Sequence, residues 1–218
     1  NVECAALCDV DQNVLNKRAA ELEKMTGKKP ALYGDFRKVL EQKDIDAVIL
    51  SHAHIDHSGL LTLLIAHGFS GKIFCTEGTA GLLPVLLKDA CMLYLKDLEW
   101  QNRQRARLGK PEQTPQMSLK NVEQVVKSLH PLPYLTNMDV LPGLELQFLD
   151  AGHILGSAIV ELWIKGAQGM RHLVFSGDLG NPATVLMHDP SFVTSADVVL
   201  LESTYGDRDH QQLTDTLE

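Results

Sequence analysis

Apolar and polar residues alternate in blocks that predict an α/β protein. In the first 46 residues the blocks read β-α-β-α, since a strand over Val2–Val10 precedes a helix that Asp11 can cap and that ends at Gly27. A short strand at Leu32-Tyr33 follows, and Asp35 can cap a second helix. This alternation predicts a parallel, doubly wound sheet.

The rest of the chain continues the alternation. Apolar runs predict strands at 47–50, 72–75, 144–149, 158–164, 172–175 and 196–201. Helical spacing predicts helices at 60–66, 79–87 and 90–107, and a further helix capped by Ser118 and ended by Pro131 and Pro133. Several of these strands end in acids or imidazoles. Open α/β sheets place their active sites at this end of their strands.

One loop, Ser51–Gly59, concentrates the candidate chemistry between a predicted strand and a predicted helix. While the chain is extended, His52 and His54 point to the same side, and the turn into the helix can bring Asp56 and His57 round to face them. Neutral imidazoles and carboxylates are zinc ligands, and the spacing gives two pairs of them. The loop therefore predicts a two-metal site. The alternative is a solvated histidine-rich loop.

Three later strands end in residues of the same kinds. Strand 144–149 leads to His153, strand 172–175 to Asp178 and strand 196–201 to Glu202. Taken singly, His153 could be a core histidine and Asp178 a turn residue. Together with the first loop, both are predicted to be metal ligands. The histidines without such companions are predicted to be surface or structural residues: His67, His130, His172, His188 and His210.

These motifs carry a family resemblance. The pattern His52-x-His54-x-Asp56-His57 resembles the signature loop of the metallo-β-lactamase superfamily of binuclear metal hydrolases. The segments around His153, Asp178 and Glu202 (Asp-Ala-Gly-His-Ile-Leu-Gly-Ser, Ser-Gly-Asp-Leu-Gly and Leu-Glu-Ser-Thr-Tyr-Gly-Asp) narrow the resemblance to the β-CASP branch of RNA-processing nucleases. The resemblance spans residues 46 to 210. It implies an αββα fold, incomplete in this chain.

The resemblance also implies roles for the candidate residues and two Zn²⁺ ions as cofactors. One zinc ion would be held by His52, His54 and His153, the other by Asp56 and His57, with Asp178 bridging. Asp56 would also orient the attacking water, and Glu202 would support the ligands or handle a proton. RNA or another phosphodiester would be the substrate. In the β-CASP branch a domain inserted after this glutamate brings the last zinc-ligand histidine, so the second site is expected to be one ligand short within these 218 residues.

The first 49 residues show a different resemblance. The segments Cys8–Asp11 and Leu32–Phe36 resemble the Rossmann domain of the glucose-fructose oxidoreductase/inositol dehydrogenase family. Asp9 holds the place of the acid that approaches the cofactor ribose. The glycine-rich phosphate loop of that family is not found, so a plain turn or cap role is favoured for Asp9. We therefore predict a chimera with an oxidoreductase fragment at 1–46 and a partial metal hydrolase domain at 47–218.

Composition and charge narrow the class of the protein, its partners and its expected location. With 44% hydrophobic and 22% charged residues the chain is an ordinary globular protein, and its net charge of −8 argues against a general nucleic-acid-coating surface. The sequence shows no apolar run of membrane-spanning length and no signal segment, so we expect no membrane partner and a cytoplasmic location. The cysteines are expected to be free and mostly buried, since they form no CxxC pair: Cys4, Cys8, Cys75 and Cys91.

Four functions remain open at this stage. The favoured one is a zinc-dependent RNA phosphodiesterase, with full activity or with activity weakened by truncation. The others are a thioester or lactam hydrolase on the same scaffold, an NAD(P)-dependent oxidoreductase fragment, and a chimera that binds zinc without turnover. A basic stretch beside Trp100 is predicted to be a solvated helix face, the alternative being contact with a nucleic-acid backbone: Arg103, Arg105 and Arg107.

Overall fold

The computed structural model of the chain describes residues 6–8, 12–35, 38–39, 45–166, 169–182, 184–204 and 206. The predictions made for Cys4, Asp9, Asp11 and His210 lie outside these residues. The described N-terminal elements are strand β1 (Ala6–Cys8), helix α1 (Gln12–Thr26) and strand β2 (Ala31–Tyr33). Strands β1 and β2 pair in parallel, as the apolar pattern predicted. Helix α1 buries Leu15 and Ala19, which lie four residues apart on one face.

The next seven elements build a first layer of sheet and helices. They are β3 (Ala47–Ile49), α2 (Ile55–Ser58), α3 (Leu61–Ala66), β4 (Lys72–Thr76), α4 (Glu77–Arg107), α5 (Leu119–Ser128) and β5 (Leu129–Leu132). The three strands form a parallel sheet in the order β3-β4-β5. Parallel neighbours require crossover connections, and the helices between the strands provide them.

The last five described strands form a second sheet. They are β6 (Met138–Leu141), β7 (Leu144–Asp150), β8 (Ala158–Gly166), β9 (Gly169–Phe175) and β10 (Val198–Leu200). Their order is β10-β9-β8-β7-β6, antiparallel except for the parallel pair β9-β10.

The alternation of side chains along β4 explains how the layers stack. Ile73 and Cys75 point towards the helices and are buried with Leu83 of α4, whereas Phe74 points the other way and is buried with Phe148 of the second sheet. The helices thus cover one face of the first sheet and the second sheet covers the other. This layered α/β arrangement confirms the predicted fold class.

Helix α4 corrects the prediction of two helices at 79–87 and 90–107. It is one helix of 31 residues that continues through Pro84. Its buried face carries Leu83, Leu87 and Cys91 at a spacing of four, and this stripe runs across the supposed gap. The polar pair Lys88 and Asp89 is merely exposed on the opposite face, so it does not break the helix.

Length and apolar composition alone would allow α4 to cross a membrane, and it is the one helix in the described ranges that meets these criteria. A single helix of this kind is weak evidence for a membrane span, since core helices of soluble proteins meet the same criteria.

Two of the strands, β5 and β6, were not predicted from the sequence. Pro131 was interpreted only as a helix terminator, yet it lies within β5, opposite Cys75 of β4. Strand β5 is at the edge of its sheet, where a residue without an N–H is tolerated. Strand β6 pairs with β7 across a turn at Pro142-Gly143, and its alternation is too short to be distinguished from a loop.

Candidate metal centre

The first candidate loop leaves the carboxyl end of β3, at the rim where the two sheets meet. Leu50 donates its N–H to Phe74 O over 2.9 Å, which keeps the loop beside β4. Ser51 O accepts the N–H of Ala158 over 2.9 Å, which links the loop to the start of β8. The backbone is still extended at His54 and becomes helical at Ile55, so α2 begins three residues after His52. The first sheet and the second sheet are therefore joined at this loop.

Four of the predicted ligands converge at this rim. The ligand atoms of His52, His54, His153 and Asp178 all lie within 4.8 Å of one another. Nε2 of His52 and Nε2 of His153 each lie 3.1 Å from Nδ1 of His54. Oδ2 of Asp178 lies 3.7 Å from Nε2 of His52 and 3.6 Å from Nε2 of His153. Residues separated by about a hundred positions in sequence thus form one cluster.

The other two residues of the first loop lie beside this cluster, with the ring of His57 4.1 Å from that of His52. Nε2 of His57 lies 3.3 Å from Oδ1 of Asp178 and 3.6 Å from Oδ2 of Asp56. The side chain of Asp56 is 77% exposed, so it faces solvent more than the cluster. Asp178 therefore presents one carboxylate oxygen to His52 and His153 and the other to His57.

Close backbone packing brings the three loops together. Gly177 has φ +56°, and an added Cβ would lie 2.9 Å from Cβ of Ser51. Gly180 donates its N–H to Ala151 O over 2.8 Å, and a side chain there would overlap the backbone of Gly152. Glycine at these two positions lets the loop that carries Asp178 touch both other ligand loops.

Burial favours the neutral form of two of the imidazoles, those of His52 and His153. Burial, with a smaller contribution from His57, lowers the pKa of His52 to about 4, against the opposing effect of Asp178. Burial and then His54 lower the pKa of His153 as well. Neutral imidazoles carry the free lone pair that a metal ion needs, whereas imidazolium ions do not.

The cluster fits a zinc ion in the kind and spacing of its donors. Zinc takes nitrogen and oxygen ligands at about 2.0–2.2 Å in a tetrahedral arrangement, which sets neighbouring ligands roughly 3.3 Å apart. The nitrogen-nitrogen distances of 3.1 Å around His54 are close to that separation. Ser51 Oγ lies 3.1 Å from Nδ1 of His52, so this nitrogen can carry the proton and leave Nε2 free as a ligand.

Glu202 supports the Asp178 loop from β10. One of its carboxylate oxygens accepts the N–H of Leu179 over 2.6 Å, and its own N–H donates to Ser176 Oγ over 3.0 Å. Burial alone would raise the pKa of Glu202, but hydrogen bonds from Leu179 and Thr204 outweigh it and lower the pKa. Glu202 therefore stays ionised at neutral pH and fixes the residue next to Asp178.

The roles of two serines at the site, Ser51 and Ser157, were not predicted from the sequence. Besides Ser51, Ser157 accepts the N–H of His153 over 3.0 Å and that of Ile154 over 3.1 Å through its Oγ. A serine beside a ligand histidine, or after the glycine of a tight turn, was the available signal.

The remaining histidines within the described residues are not members of the ligand cluster. His172 stacks on Trp163 with ring centroids 4.6 Å apart, and its Nε2 lies 3.0 Å from Oε1 of Glu161. These contacts on the second sheet agree with the structural role predicted for His172. His130 contacts Phe74 and Ser128 O, and His67 and His188 are exposed.

The basic stretch at the end of α4 is partly engaged. Trp100 is 57% exposed. Arg103 pairs with Glu99 at 3.0 Å, and Arg105 donates to Pro111 O over 2.7 Å. These contacts agree with a solvated helix face.

A cleft of about 770 Å³ opens beside the cluster. The residues that line it include His153, Asp178 and Glu202 and the polar residues Asn181 and Thr184. Its position lets a substrate reach the ligand cluster directly.

Residues 25–216 match the family described as a β-lactamase superfamily domain. The chain belongs to the metallo-β-lactamase superfamily. Among superfamily relatives, Ribonuclease TTHA0252 from Thermus thermophilus is 37% identical over 177 residues. Transcription termination factor FttA is 34% identical over 172 residues in Cenarchaeum symbiosum and 36% over 179 residues in Methanosarcina mazei.

The alignments cover 81%, 78% and 81% of this chain but only 36%, 24% and 25% of these relatives. The chain thus spans about a quarter to a third of their length. The solved FEZ-1 metallo-β-lactamase from Legionella gormanii has a TM-score of 0.40 and 17% identity, over 85% of this chain and 58% of its own. That similarity is too low to add to the superfamily match. The matched residues begin at 25, within the segment predicted to be an oxidoreductase fragment, and give that prediction no support.

Proposed function

We propose that this chain is the metal-binding part of a zinc-dependent hydrolase that cleaves phosphodiester bonds in RNA with two zinc ions, and that it belongs to the β-CASP branch. The observation that carries the proposal is the convergence of His52, His54, His153 and Asp178 within 4.8 Å at the rim of the sheets. The names of the relatives, ribonuclease and transcription termination factor, support RNA as the substrate class.

The geometry supports the division of the ligands between two ions. His52, His54 and His153 would hold one zinc ion, because their ring nitrogens face one another. His57 and Asp56 would hold the second. Asp178 would bridge, since its two oxygens face the two groups separately.

When bound, the two zinc ions would supply water activation at neutral pH and positive charge for a displacement at phosphorus. Neighbouring residues hold the proposed ligands in position. Ser51 fixes the ring of His52, and Glu202 fixes the backbone beside Asp178. Asp56, with its exposed carboxylate, is free to turn towards the attacking water and accept its hydrogen bond. Because Glu202 is ionised and engaged by Leu179, we assign it to holding the site and not to proton transfer.

The cleft supports an extended polar substrate. It reaches from the ligand cluster to Asn181, whose side-chain amide can donate hydrogen bonds to phosphate or sugar oxygens. The net charge of −8 then leaves the metal ions as the main local attraction for the phosphate.

The first 46 residues add no activity to the proposal. The parallel β1-α1-β2 unit is common to many α/β folds, and a phosphate-binding loop has not been identified. A cytoplasmic location is in keeping with Cys75 and Cys91, which are buried free thiols.

The test combines zinc analysis with cleavage of a labelled RNA. We expect about two zinc ions per chain and zinc-dependent cleavage in the wild-type protein. Asp56→Ala should abolish cleavage. Asp89→Ala, which removes an exposed carboxylate on α4, is the matched control and should leave cleavage unchanged.

The outcomes separate the alternatives. Equal cleavage by Asp56→Ala and wild type would contradict the mechanism. Zinc binding with hydrolysis of a thioester or lactam, but not of RNA, would indicate a different hydrolase. Zinc binding with no turnover of any of these substrates would indicate an inactive metal-binding domain.

A further inference from the structure

The loop that carries His153 rests on the first turn of helix α4. Thr76, the residue before the helix, accepts the N–H of Thr79 over 3.1 Å and donates its hydroxyl to Gly156 O over 2.5 Å. Thr79 donates its own hydroxyl to the same oxygen over 2.9 Å. Both threonines are buried, so water does not compete for these hydrogen bonds. One carbonyl of the loop is therefore held by two hydroxyls from the helix.

The contact leaves no room for a side chain. A Cβ added to Gly78 would lie 2.7 Å from Cα of Gly156, and Gly156 itself has φ +82°. The helix turn and the loop thus meet backbone to backbone, and the loop cannot move towards the helix. It can move away only by giving up the hydrogen bonds of Thr76 and Thr79.

A second set of hydrogen bonds extends this contact to His153. Gly156 is followed by Ser157, whose Oγ accepts the backbone N–H of His153 over 3.0 Å. The hydroxyl of Tyr134 donates to Ser157 O over 2.8 Å and holds the same residue from the other side. The backbone of His153 is therefore fixed through Ser157, next to the carbonyl that the two threonines bind.

We propose that Thr76 and Thr79 are positioning residues for metal binding, a role that rests on the proposed zinc-dependent function. They hold the 152–157 loop so that Nε2 of His153 stays 3.1 Å from Nδ1 of His54 before any ion arrives. A loop fixed in advance does not lose conformational freedom when the ion binds. Zinc affinity then depends on hydroxyls that touch neither the ion nor a ligand side chain.

The test compares two substitutions of Thr79. Thr79→Val keeps the shape but removes the hydroxyl, whereas Thr79→Ser keeps the hydroxyl. We expect Thr79→Val to weaken zinc binding about tenfold in a chelator competition, in the range for residues that support metal ligands. It should also alter the visible absorption spectrum of the cobalt-substituted protein. Thr79→Ser should restore both properties to near the wild-type values.

Leu146→Ala controls for a general loss of stability. It opens a cavity in the buried core between the two sheets, and no residue of the 152–157 loop belongs to this core, so it should lower stability but leave zinc affinity and the cobalt spectrum unchanged. Wild-type zinc affinity and spectrum in Thr79→Val would overturn the inference, as would a wild-type protein that binds no zinc. If Thr79→Val has the expected effect but wild type does not cleave RNA, only the proposed substrate fails.

Discussion

His52 is the residue on which the chemistry of the site depends most. Its side chain is fully buried, yet both ring nitrogens have a polar neighbour, Ser51 at Nδ1 and His54 at Nε2. Burial in this setting disfavours a second proton and lowers the pKa to about 4. The ring is therefore prepared to donate a lone pair at neutral pH.

This pKa predicts acid sensitivity of the zinc-free protein. The pKa of His52 is 6.5 in the unfolded chain and about 4 in the folded chain. At pH values between these two, His52 is protonated in the unfolded chain and neutral in the folded chain. The free energy of unfolding should therefore fall as pH falls through this window, by roughly 2 kcal/mol at pH 5 relative to pH 8. Urea unfolding at both pH values measures it.

The His52→Gln variant isolates this contribution, because it removes the titrating ring and leaves the other histidines. Its unfolding free energy should vary by about 2 kcal/mol less between the two pH values than that of the wild type. The same variation in both proteins would show that His52 does not titrate as proposed.

The candidate ligand residues of the site could be predicted from the sequence, but the residues that hydrogen-bond to them could not. His52, His54 and His57 were identified because imidazoles in one loop after a strand are uncommon. Ser51 and Ser157 act through single hydrogen bonds, which any serine near a turn can make or omit. A hydrogen-bond partner depends on the final distance between loops, and sequence spacing does not give that distance.

At the level of elements, the sequence located strands better than it located their ends. The strand at 144–149 was predicted from its alternation and the strand at 158–164 from its apolar run, and they differ from β7 and β8 only in their last residues. Helix α4 was divided wrongly, because two exposed polar residues were given more weight than the buried stripe. Strand β5 was missed because Pro131 is tolerated only at a sheet edge, and edge positions follow from the tertiary fold.

The connection after β9 offers a test of how tightly these elements must pack. Gly177→Ala places a Cβ in a backbone conformation with φ +56° and against Ser51 and Ala158 O. Gly109→Ala is the matched control, since Gly109 has φ +64° and an added Cβ would have no neighbour within 4 Å. Gly109→Ala should cost about 1–2 kcal/mol of unfolding free energy from the backbone alone.

Gly177→Ala should cost clearly more, because the same backbone penalty is joined by overlap with the first ligand loop. Its zinc affinity should also fall, since Asp178 is the next residue. Urea unfolding and zinc titration of both variants measure these effects. Equal costs for the two substitutions would mean that the loops can separate without penalty.

For the molecule as a whole, the cluster joins two sheets that are far apart in sequence. His52 and His54 follow β3 of the parallel sheet, while His153 and Asp178 follow β7 and β9 of the other sheet. The sequence predicted that these ends would meet, by analogy with other sheets that carry sites at one rim. It did not predict that Phe74, Phe148 and Val160 would form the buried layer that holds the sheets face to face.

A metal ion held between two sheets should stabilise the whole fold. At free zinc of 100 times the dissociation constant, binding to the folded state alone adds about 2.7 kcal/mol to the unfolding free energy. Thermal or urea unfolding in buffered zinc and in a chelator should reveal this difference in the wild-type protein. In His153→Ala one of the two predicted ligands from the second sheet is lost, so zinc should stabilise this variant much less. His188→Ala removes an exposed histidine outside the cluster and should respond to zinc as the wild type does. If zinc stabilised His153→Ala and wild type equally, His153 would have no part in binding the ion, and the predicted ligand set would be wrong at the end of β7.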